Sequence, residues 1–188
     1  MITEVSRRAA VLALTLVVAA CSSSPSYRDA SVPMTTAGPV DLARYQGAWF
    51  EIARYPNRFE EGCEGVTAEY TLLDDGTVRV VNTCREGAPD GPASSAEGIA
   101  TSTNADNDRL KVSFVPWLPF AAGDYWILGL TPDYSVAVIG EPSGKFGWIL
   151  ARAPKLDPAA LAEAEAVLTR NGYDLGGLTY TRQMGGGS

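Results

Sequence analysis

Few side chains of this protein could carry out chemistry, and the absence of histidine narrows the possible reactions further. None of the 188 residues is a histidine. Catalysis by a histidine base and metal binding by histidine ligands are therefore excluded. The clearest acidic pair, Asp74-Asp75, lies in an Asp-Asp-Gly-Thr stretch where turn formation explains both residues. Glu97 could face a cavity, but a single carboxylate leaves catalysis as an alternative only.

Three cysteines are the remaining reactive side chains. Cys21 follows a basic pair, Arg7-Arg8, and an apolar run at 9–20 that is too short to span a bilayer but typical of a signal peptide. Its context, Val-Ala-Ala-Cys, resembles the lipobox of bacterial lipoproteins. That resemblance implies that a lipoprotein signal peptide, residues 1–20, is removed and that Cys21 is lipidated. Ordinary cleavage near Ala20, which leaves a free cysteine, is the alternative.

The elements that must position these residues can be read from hydrophobic alternation. Residues 22–39 show no periodicity, so we predict that 21–39 form a lipidated flexible linker. Between 40 and 183, short apolar-alternating segments separated by turns predict one all-β domain, an eight-stranded antiparallel up-and-down barrel. The predicted strands are Trp49–Arg54, Val66–Leu72, Val78–Thr83, Ala96–Thr101, Leu110–Phe114, Tyr125–Leu130, Ser135–Gly140 and Phe146–Arg152.

One helix is predicted after the last strand. Asp157 can cap it, Pro158 suits its first position, and Asn171-Gly172 ends it. Its apolar stripe indicates that it packs against the outside of the barrel. Residues 184–188 are predicted to be a disordered tail.

Three segments of the sequence resemble the signatures of the lipocalin family. "GAWFEIAR" at 47–54 resembles the first, "TPDYSVAVI" at 131–139 the second and "WILAR" at 148–152 the third. The stretch 58–82 is similar to that of bacterial outer-membrane lipocalins and of apolipoprotein D. The resemblance covers residues 40–182, and it implies a barrel that is closed at one end and open at the other.

The resemblance assigns a structural role to three residues. Trp49 is expected to plug the closed end, and Arg152 to stack on its indole ring. Gly47 is expected to let the chain pass close beneath that ring.

The resemblance also implies a ligand cavity lined by inward-facing side chains. Tyr70, Tyr125 and Trp148 match positions that line the pocket in relatives, and strand alternation extends the set. The alternative is that these aromatic residues fill a core without leaving a cavity. The expected ligand-binding residues are Tyr70, Asn82, Val112, Phe114, Tyr125, Ile127 and Trp148. Such a lining suits the acyl chain of a fatty acid or a lysophospholipid.

Two features are expected at the open end. Cys63, in the loop after the first strand, and Cys84, at the end of the third, come within reach in an oxidising compartment, so a disulfide is predicted over two free thiols. A bend in the loop must close a gap of a few residues in register. The apolar loop Phe114–Gly123 is predicted either to dip into a bilayer or to fold back over the barrel mouth.

These observations favour a membrane-anchored lipid-binding protein that serves in lipid carriage, storage or membrane maintenance. The expected location is the bacterial cell envelope, anchored in the outer membrane on its periplasmic side. A net charge of −7 without a basic run disfavours nucleic acid as a partner. No cofactor or metal is expected, and a homodimer is compatible with the resemblance. A lipocalin-fold enzyme and a filled, non-binding structural lipoprotein are the alternatives.

Overall fold

A computed structural model describes residues 26–115 and 121–185 of the chain. The elements, in chain order, are α1 (Leu42–Tyr45), β1 (Gly47–Arg54), β2 (Cys63–Leu72), β3 (Val78–Glu86), β4 (Ala93–Ser102), β5 (Arg109–Ser113), β6 (Gly123–Leu130), β7 (Val136–Gly140), β8 (Gly147–Ala151), α2 (Pro158–Arg170), a 3₁₀ turn (Leu175–Gly177) and β9 (Thr179–Tyr180).

Strands β1 to β8 form a closed antiparallel barrel. Each strand pairs with its neighbour in sequence, and β8 pairs with β1 to close the sheet. The predicted fold is confirmed. Each predicted strand overlaps an observed one, because alternating apolar residues place one face of every strand inside the barrel.

Apolar side chains pack on both faces of the barrel wall. The inner cluster fills the barrel and includes Trp49, Tyr70 and Ile127. The outer cluster lies between the wall and α2, where Leu168 is fully buried. Asp157 caps α2 by accepting hydrogen bonds from two amides of its first turn. No helix in the described ranges is long and apolar enough to cross a membrane.

The two ends of the barrel are built differently. The closed end carries α1 and the tight turns that join β2 to β3, β4 to β5 and β6 to β7. The open end carries the loops 55–62, 87–92, 114–122 and 141–146. Within the loop 114–122, residues 116–120 lie outside the described residues.

The C-terminal segment completes the wall at the open end. Strands β1 and β2 pair directly only from Gly47 to Phe50. Beyond that point β9 pairs with the end of β1, the Thr181 amide donates to the carbonyl of Ile52, and Gln183 donates to Glu51 and Val66 carbonyls at 2.8 and 2.9 Å. A short last strand therefore closes a gap in the barrel.

The segment 26–39 is packed on the barrel, which corrects the prediction of a flexible linker for these residues. The ring of Tyr27 stacks on that of Tyr55 with 4.8 Å between centroids. Met34 joins the outer apolar cluster, and the Ala37 amide donates to the carbonyl of Ile127 at 2.9 Å. The prediction failed because these contacts come from isolated side chains and main-chain groups, without a periodic pattern. The remaining part of the predicted linker, 21–25, lies outside the described residues.

Asn171, at the end of α2, holds this segment in place. Its side-chain oxygen accepts a hydrogen bond from the Thr35 amide at 2.7 Å, and its carbonyl accepts one from the Arg28 guanidinium at 2.7 Å. The side-chain amide donates to the carbonyl of Val167 at 2.9 Å. Asn171 is only 1% exposed, so water cannot replace these bonds.

We expect Asn171→Ala to lower the free energy of unfolding by about 1–3 kcal/mol, because it leaves the Thr35 amide without its partner. Urea denaturation measures the change, and limited proteolysis of the folded protein should cut within 26–39 faster than in the wild type. Thr169→Ala, in the exposed last turn of the same helix, is the matched control and should change stability by less than about 0.5 kcal/mol. Equal effects of the two substitutions would show that Asn171 does not hold the segment.

Candidate functional site

The predicted ligand-binding residues lie at three levels of the barrel. Tyr70 and Ile127 are buried in the inner cluster, and Val112, Tyr125 and Trp148 pack against it. Asn82 lies opposite Ala96 on the inward face, nearer the open end. Phe114 follows the last residue of β5 and is 41% exposed at the rim.

Three tyrosine hydroxyls meet inside the closed half. The Tyr125 hydroxyl lies 2.8 Å from that of Tyr45 and 3.0 Å from that of Tyr70. Burial raises the pKa of all three phenols, that of Tyr70 to about 12, so the three phenols are neutral at physiological pH. Two hydrogen bonds join three O–H donors, which leaves one donor unused within the group.

The space around these phenols is nearly filled. In the described residues, the enclosed cavity there has a volume of about 10 Å³, enough for one water molecule at most. Its lining includes four of the predicted residues, Tyr70, Val112, Tyr125 and Ile127. The closed half of the barrel is therefore a packed floor, and the predicted role of these four as ligand contacts stays a prediction.

The open half of the barrel is accessible to solvent. Residues Ala93–Glu97 of β4 are exposed on both faces of the strand. Asn82, Cys84 and Trp148 on the inward face are partly exposed. A ligand could reach these inward positions without moving a strand.

A buried ionic cluster lies in the wall beside this accessible space. Glu51 is 2% exposed and accepts hydrogen bonds from the Arg54 guanidinium, at 2.6 Å, and from the Thr181 hydroxyl. The same guanidinium donates to the carbonyls of Glu60 and Cys63 at 3.1 and 2.9 Å. Arg54 thus joins β1 to the loop 55–62 and to the C-terminal segment.

Glu60 brings a second carboxyl group to the cluster. It accepts hydrogen bonds from the Asn57 side chain at 2.5 Å and from the Trp148 indole at 3.1 Å. Burial, followed by the charge of Glu60, raises the pKa of Glu51 to about 8, while Arg54 opposes the shift. The Glu51 carboxyl therefore keeps its proton at pH 7 and adds no buried negative charge beside Arg54.

Aromatic rings continue from this cluster to the rim. The rings of Trp148 and Phe146 stack with 5.8 Å between centroids, and Phe146 faces Phe59 at 6.2 Å. Phe59 lies in the loop 55–62 and is 68% exposed. We call these three residues the aromatic ladder; it leads from the barrel interior to solvent.

The closed-end residues are arranged as a seal. The Arg152 guanidinium lies 3.9 Å from the centroid of the Trp49 ring, which is fully buried. Gly47 has a φ of +96°, a conformation that favours glycine, and a Cβ there would contact the Arg152 guanidinium at 3.4 Å. These three residues are remote from the open half.

The predicted disulfide is confirmed, but the position predicted for Cys63 is wrong. Cys63 is the first residue of β2 rather than part of the preceding loop, and it is bonded to Cys84 with 5.2 Å between Cα atoms. A β-bulge between Glu64 and Thr67 shifts the register and brings the two strands' cysteines together diagonally. Gly65 sits in this bulge with a φ of +55°, and a Cβ there would lie 2.9 Å from the Pro89 carbonyl oxygen. The bulge, and not a bend in the loop, closes the predicted gap.

Glu97 does not reach the cavity. It lies opposite Val81, whereas the inward-facing Val80 is paired with Gly98. Because opposite residues share a face, Glu97 points outward. Among the described residues, no group of three or more histidine, cysteine, aspartate or glutamate side chains could hold a metal ion.

Sequence reasoning missed Tyr45, Glu51, Arg54 and Glu60. Glu51 could have been found, because it is two residues from the inward-facing Trp49 on the same strand. Arg54 could not, since an irregular register between Glu51 and Ala53 interrupts the alternation. Tyr45 and Glu60 lie outside strands, where the sequence carries no periodic signal.

The protonated Glu51 carboxyl gives stability a pH dependence of known sign. The Glu51 carboxyl ionises near 4.5 when unfolded but holds its proton to about pH 8 when folded. Its contribution to stability is therefore complete below pH 4.5 and is lost as the pH rises to about 8, with a slope of up to about 1.4 kcal/mol per pH unit. We expect Glu51→Gln, which keeps the shape and can donate to Glu60, to flatten this part of the stability profile.

Urea denaturation at a series of pH values from 4 to 9 measures the effect. Glu97→Gln, an outward-facing and exposed carboxyl, is the matched control and should leave the wild-type profile unchanged. Parallel profiles for wild type and Glu51→Gln would contradict the assignment of a raised pKa to the Glu51 carboxyl.

Comparison with known proteins agrees with the fold and shows the family. Residues 40–183 match the family model described as a lipocalin-like domain. The chain is 40% identical to the outer membrane lipoprotein Blc of Escherichia coli K12 over 179 residues, 94% of this chain and 96% of the relative. It is 33% identical to mouse apolipoprotein D over 150 residues, 76% of this chain and 77% of the relative.

A solved structure shares the fold at lower identity. Lobster apocrustacyanin A1 superposes with a TM-score of 0.61 at 20% identity, covering 87% of this chain and 93% of that one.

Proposed function

Because the chain belongs to the lipocalin family, we propose that it binds a single-chain lipid, a fatty acid or a lysophospholipid, in the open half of its barrel. The observation that carries this proposal is the contrast between the two halves. The closed half is packed around the three phenols, whereas the inward face of Ala93–Glu97 is accessible above it.

The lining of the open half suits an acyl chain with a polar end. Trp148 and Phe114 offer apolar surface, and burial of an acyl chain stabilises the complex by about 0.8 kcal/mol per methylene. Asn82 makes no side-chain hydrogen bond within the described residues, so it is free to bind a polar group of the ligand. The protonated Glu51 carboxyl places no negative charge of its own beside the chain.

The filled floor limits how deep a ligand enters. Tyr70, Val112, Tyr125 and Ile127 would contact only the end of the chain unless the phenols move. The same observation favours the second candidate function, a filled structural lipoprotein that binds no ligand. The outward position of Glu97 removes the carboxyl group on which the enzymatic alternative rested.

The proposed setting is the bacterial cell envelope. A relative that covers 94% of this chain is an outer membrane lipoprotein, and the Cys21 context fits lipidation. The proposal places this protein in the outer membrane on its periplasmic side, where it would carry, store or remove membrane lipids. Native mass spectrometry, which detects the bound ligand, also shows whether the protein is a monomer or a homodimer.

Blocking the open half should weaken lipid binding. We expect Ala96→Trp, which places a large ring on the inward face opposite Asn82, to weaken binding of palmitate and lysophosphatidylethanolamine at least about tenfold, or about 1.4 kcal/mol. The measurement is native mass spectrometry and titration calorimetry of the chain from residue 21, with Cys21→Ser, purified without detergent.

Glu97→Trp, the adjacent outward position on β4, adds the same ring outside the barrel and is the matched control. It should bind lipid as the wild type does. A wild-type protein that carries no lipid and cannot be loaded with either compound would favour the filled, structural alternative.

A further inference from the structure

We infer that the open rim of the barrel rests on the membrane that holds the lipid anchor, so that ligands pass directly between the bilayer and the barrel. This inference rests on the proposed lipidation of Cys21 and on the proposed lipid ligand. The domain then keeps one orientation relative to the bilayer, whereas the predicted flexible linker at 21–39 would let it reorient.

The N-terminal segment leaves the barrel at its open end. Ser26 donates to the carbonyl of Ser143 at 2.9 Å, and the Tyr27 amide donates to the carbonyl of Gly144 at 2.7 Å. The Tyr27 hydroxyl donates to the carbonyl of Pro56 at 3.0 Å. Both partner segments are open-end loops, so the chain is held at the rim on its way to Cys21.

The chain between the anchor and this attachment is short. Four residues lie between Cys21 and Ser26, so the five steps from one Cα to the next span at most about 17 Å when fully extended. The ten residues of β2, tilted as in an eight-stranded barrel, give the wall a height of roughly 25 Å. The anchor can therefore reach a bilayer at the rim but not one beyond the closed end.

The rim also presents the surface that a bilayer requires. Phe59 is 68% exposed and Phe114 is 41% exposed, on two different open-end loops. The Arg58 guanidinium lies 4.8 Å from the centre of the Phe59 ring. An apolar ring with a cation beside it suits the boundary between acyl chains and phosphate headgroups.

The closed end has the opposite character. Its turns and the cap of α1 carry five exposed aspartates, Asp41, Asp74, Asp75, Asp106 and Asp133. Hydrogen bonds from neighbouring threonine and serine side chains lower the pKa of Asp75 and of Asp133, the latter to about 2, so both are ionised. An end with five exposed aspartates and no exposed aromatic ring among the described residues suits water rather than a bilayer.

The aromatic ladder gives the docked rim a path to the interior. Phe59 would enter the bilayer. Phe146 stacks behind Phe59, and Trp148 stacks behind Phe146, further into the open half of the barrel. A lipid that leaves the bilayer along these rings keeps its acyl chain in apolar contact throughout.

Photocrosslinking of the full, lipidated chain in vesicles tests this orientation. A benzophenone amino acid is placed at Phe59 or, as the matched control, at Asp75 on the closed end, and the protein is reconstituted in vesicles of phosphatidylethanolamine and phosphatidylglycerol. We expect phospholipid adducts when the benzophenone is at position 59 and none when it is at position 75. Equal yields, or adducts at 75 alone, would overturn the inference.

Two further readings on the same sample separate this inference from the proposed function. The mass of the N-terminal peptide shows whether Cys21 carries acyl chains, and an unmodified cysteine would overturn the orientation. Native mass spectrometry after release from the vesicles shows whether lipid occupies the barrel. Adducts at position 59 with an empty barrel would support docking of the rim and contradict ligand binding. A lipid-filled barrel without adducts at position 59 would support ligand binding and contradict docking.

Discussion

The stacking of Arg152 on Trp49 is the interaction on which the closed end depends. The guanidinium covers the indole ring and donates hydrogen bonds to carbonyls on both sides of the barrel base, among them Ala48 at 2.7 Å and Gln46 at 2.9 Å. The Trp49 indole in turn donates to the carbonyl of Tyr45 at 2.9 Å. These bonds fix α1 across the base, and α1 is what brings the Tyr45 phenol into the barrel. The packed floor, and with it the confinement of any ligand to the open half, follows from this seal.

Polar groups inside the barrel are tolerated because the buried phenols and the Glu51 carboxyl keep their protons. The three phenols of the floor are joined by two hydrogen bonds and stay protonated. The Glu51 carboxyl keeps its proton at neutral pH, so it adds no negative charge beside the Arg54 guanidinium. Replacing these groups by apolar residues would leave the carbonyls of Glu60 and Cys63 unsatisfied, and an unpaired buried polar group costs about 1–3 kcal/mol. The clusters therefore join elements that the strand ladders do not join, such as the loop 55–62 and the C-terminal segment.

Much of the fold, but less of the site, could be predicted from the sequence. Alternation located the eight strands, because burial of one strand face is reflected in the residue types. The family resemblance supplied Tyr70 and Tyr125 as inward positions, and alternation then placed Ile127 on the same face as Tyr125. The disulfide was predicted from location and compartment. The bulge at Gly65 was not predicted, since the close contact of Gly65 with Pro89 is seen only in the folded chain. Tyr27 and Asn171 were missed as contacts because nothing near them in sequence indicates what they pack against. Glu60 was missed for the same reason, as its partners Asn57 and Trp148 meet only through the conformation of a loop.

The two chain termini are what make the open end of this barrel different from the rest of the wall. The C-terminal segment fills the gap that β1 and β2 leave, and the N-terminal segment lies against the loops at 55–62 and 141–146. Glu141 shapes the second of these loops by accepting hydrogen bonds from its main-chain amides, including that of Lys145 at 2.6 Å. The first loop forms no strand pairing; the buried Arg54 guanidinium, the Trp148 indole and the ring of Phe146 hold it in place. The strands, the disulfide and the closed-end seal keep the rest of the barrel fixed, so we expect the proposed exchange of a ligand to involve movement of this loop.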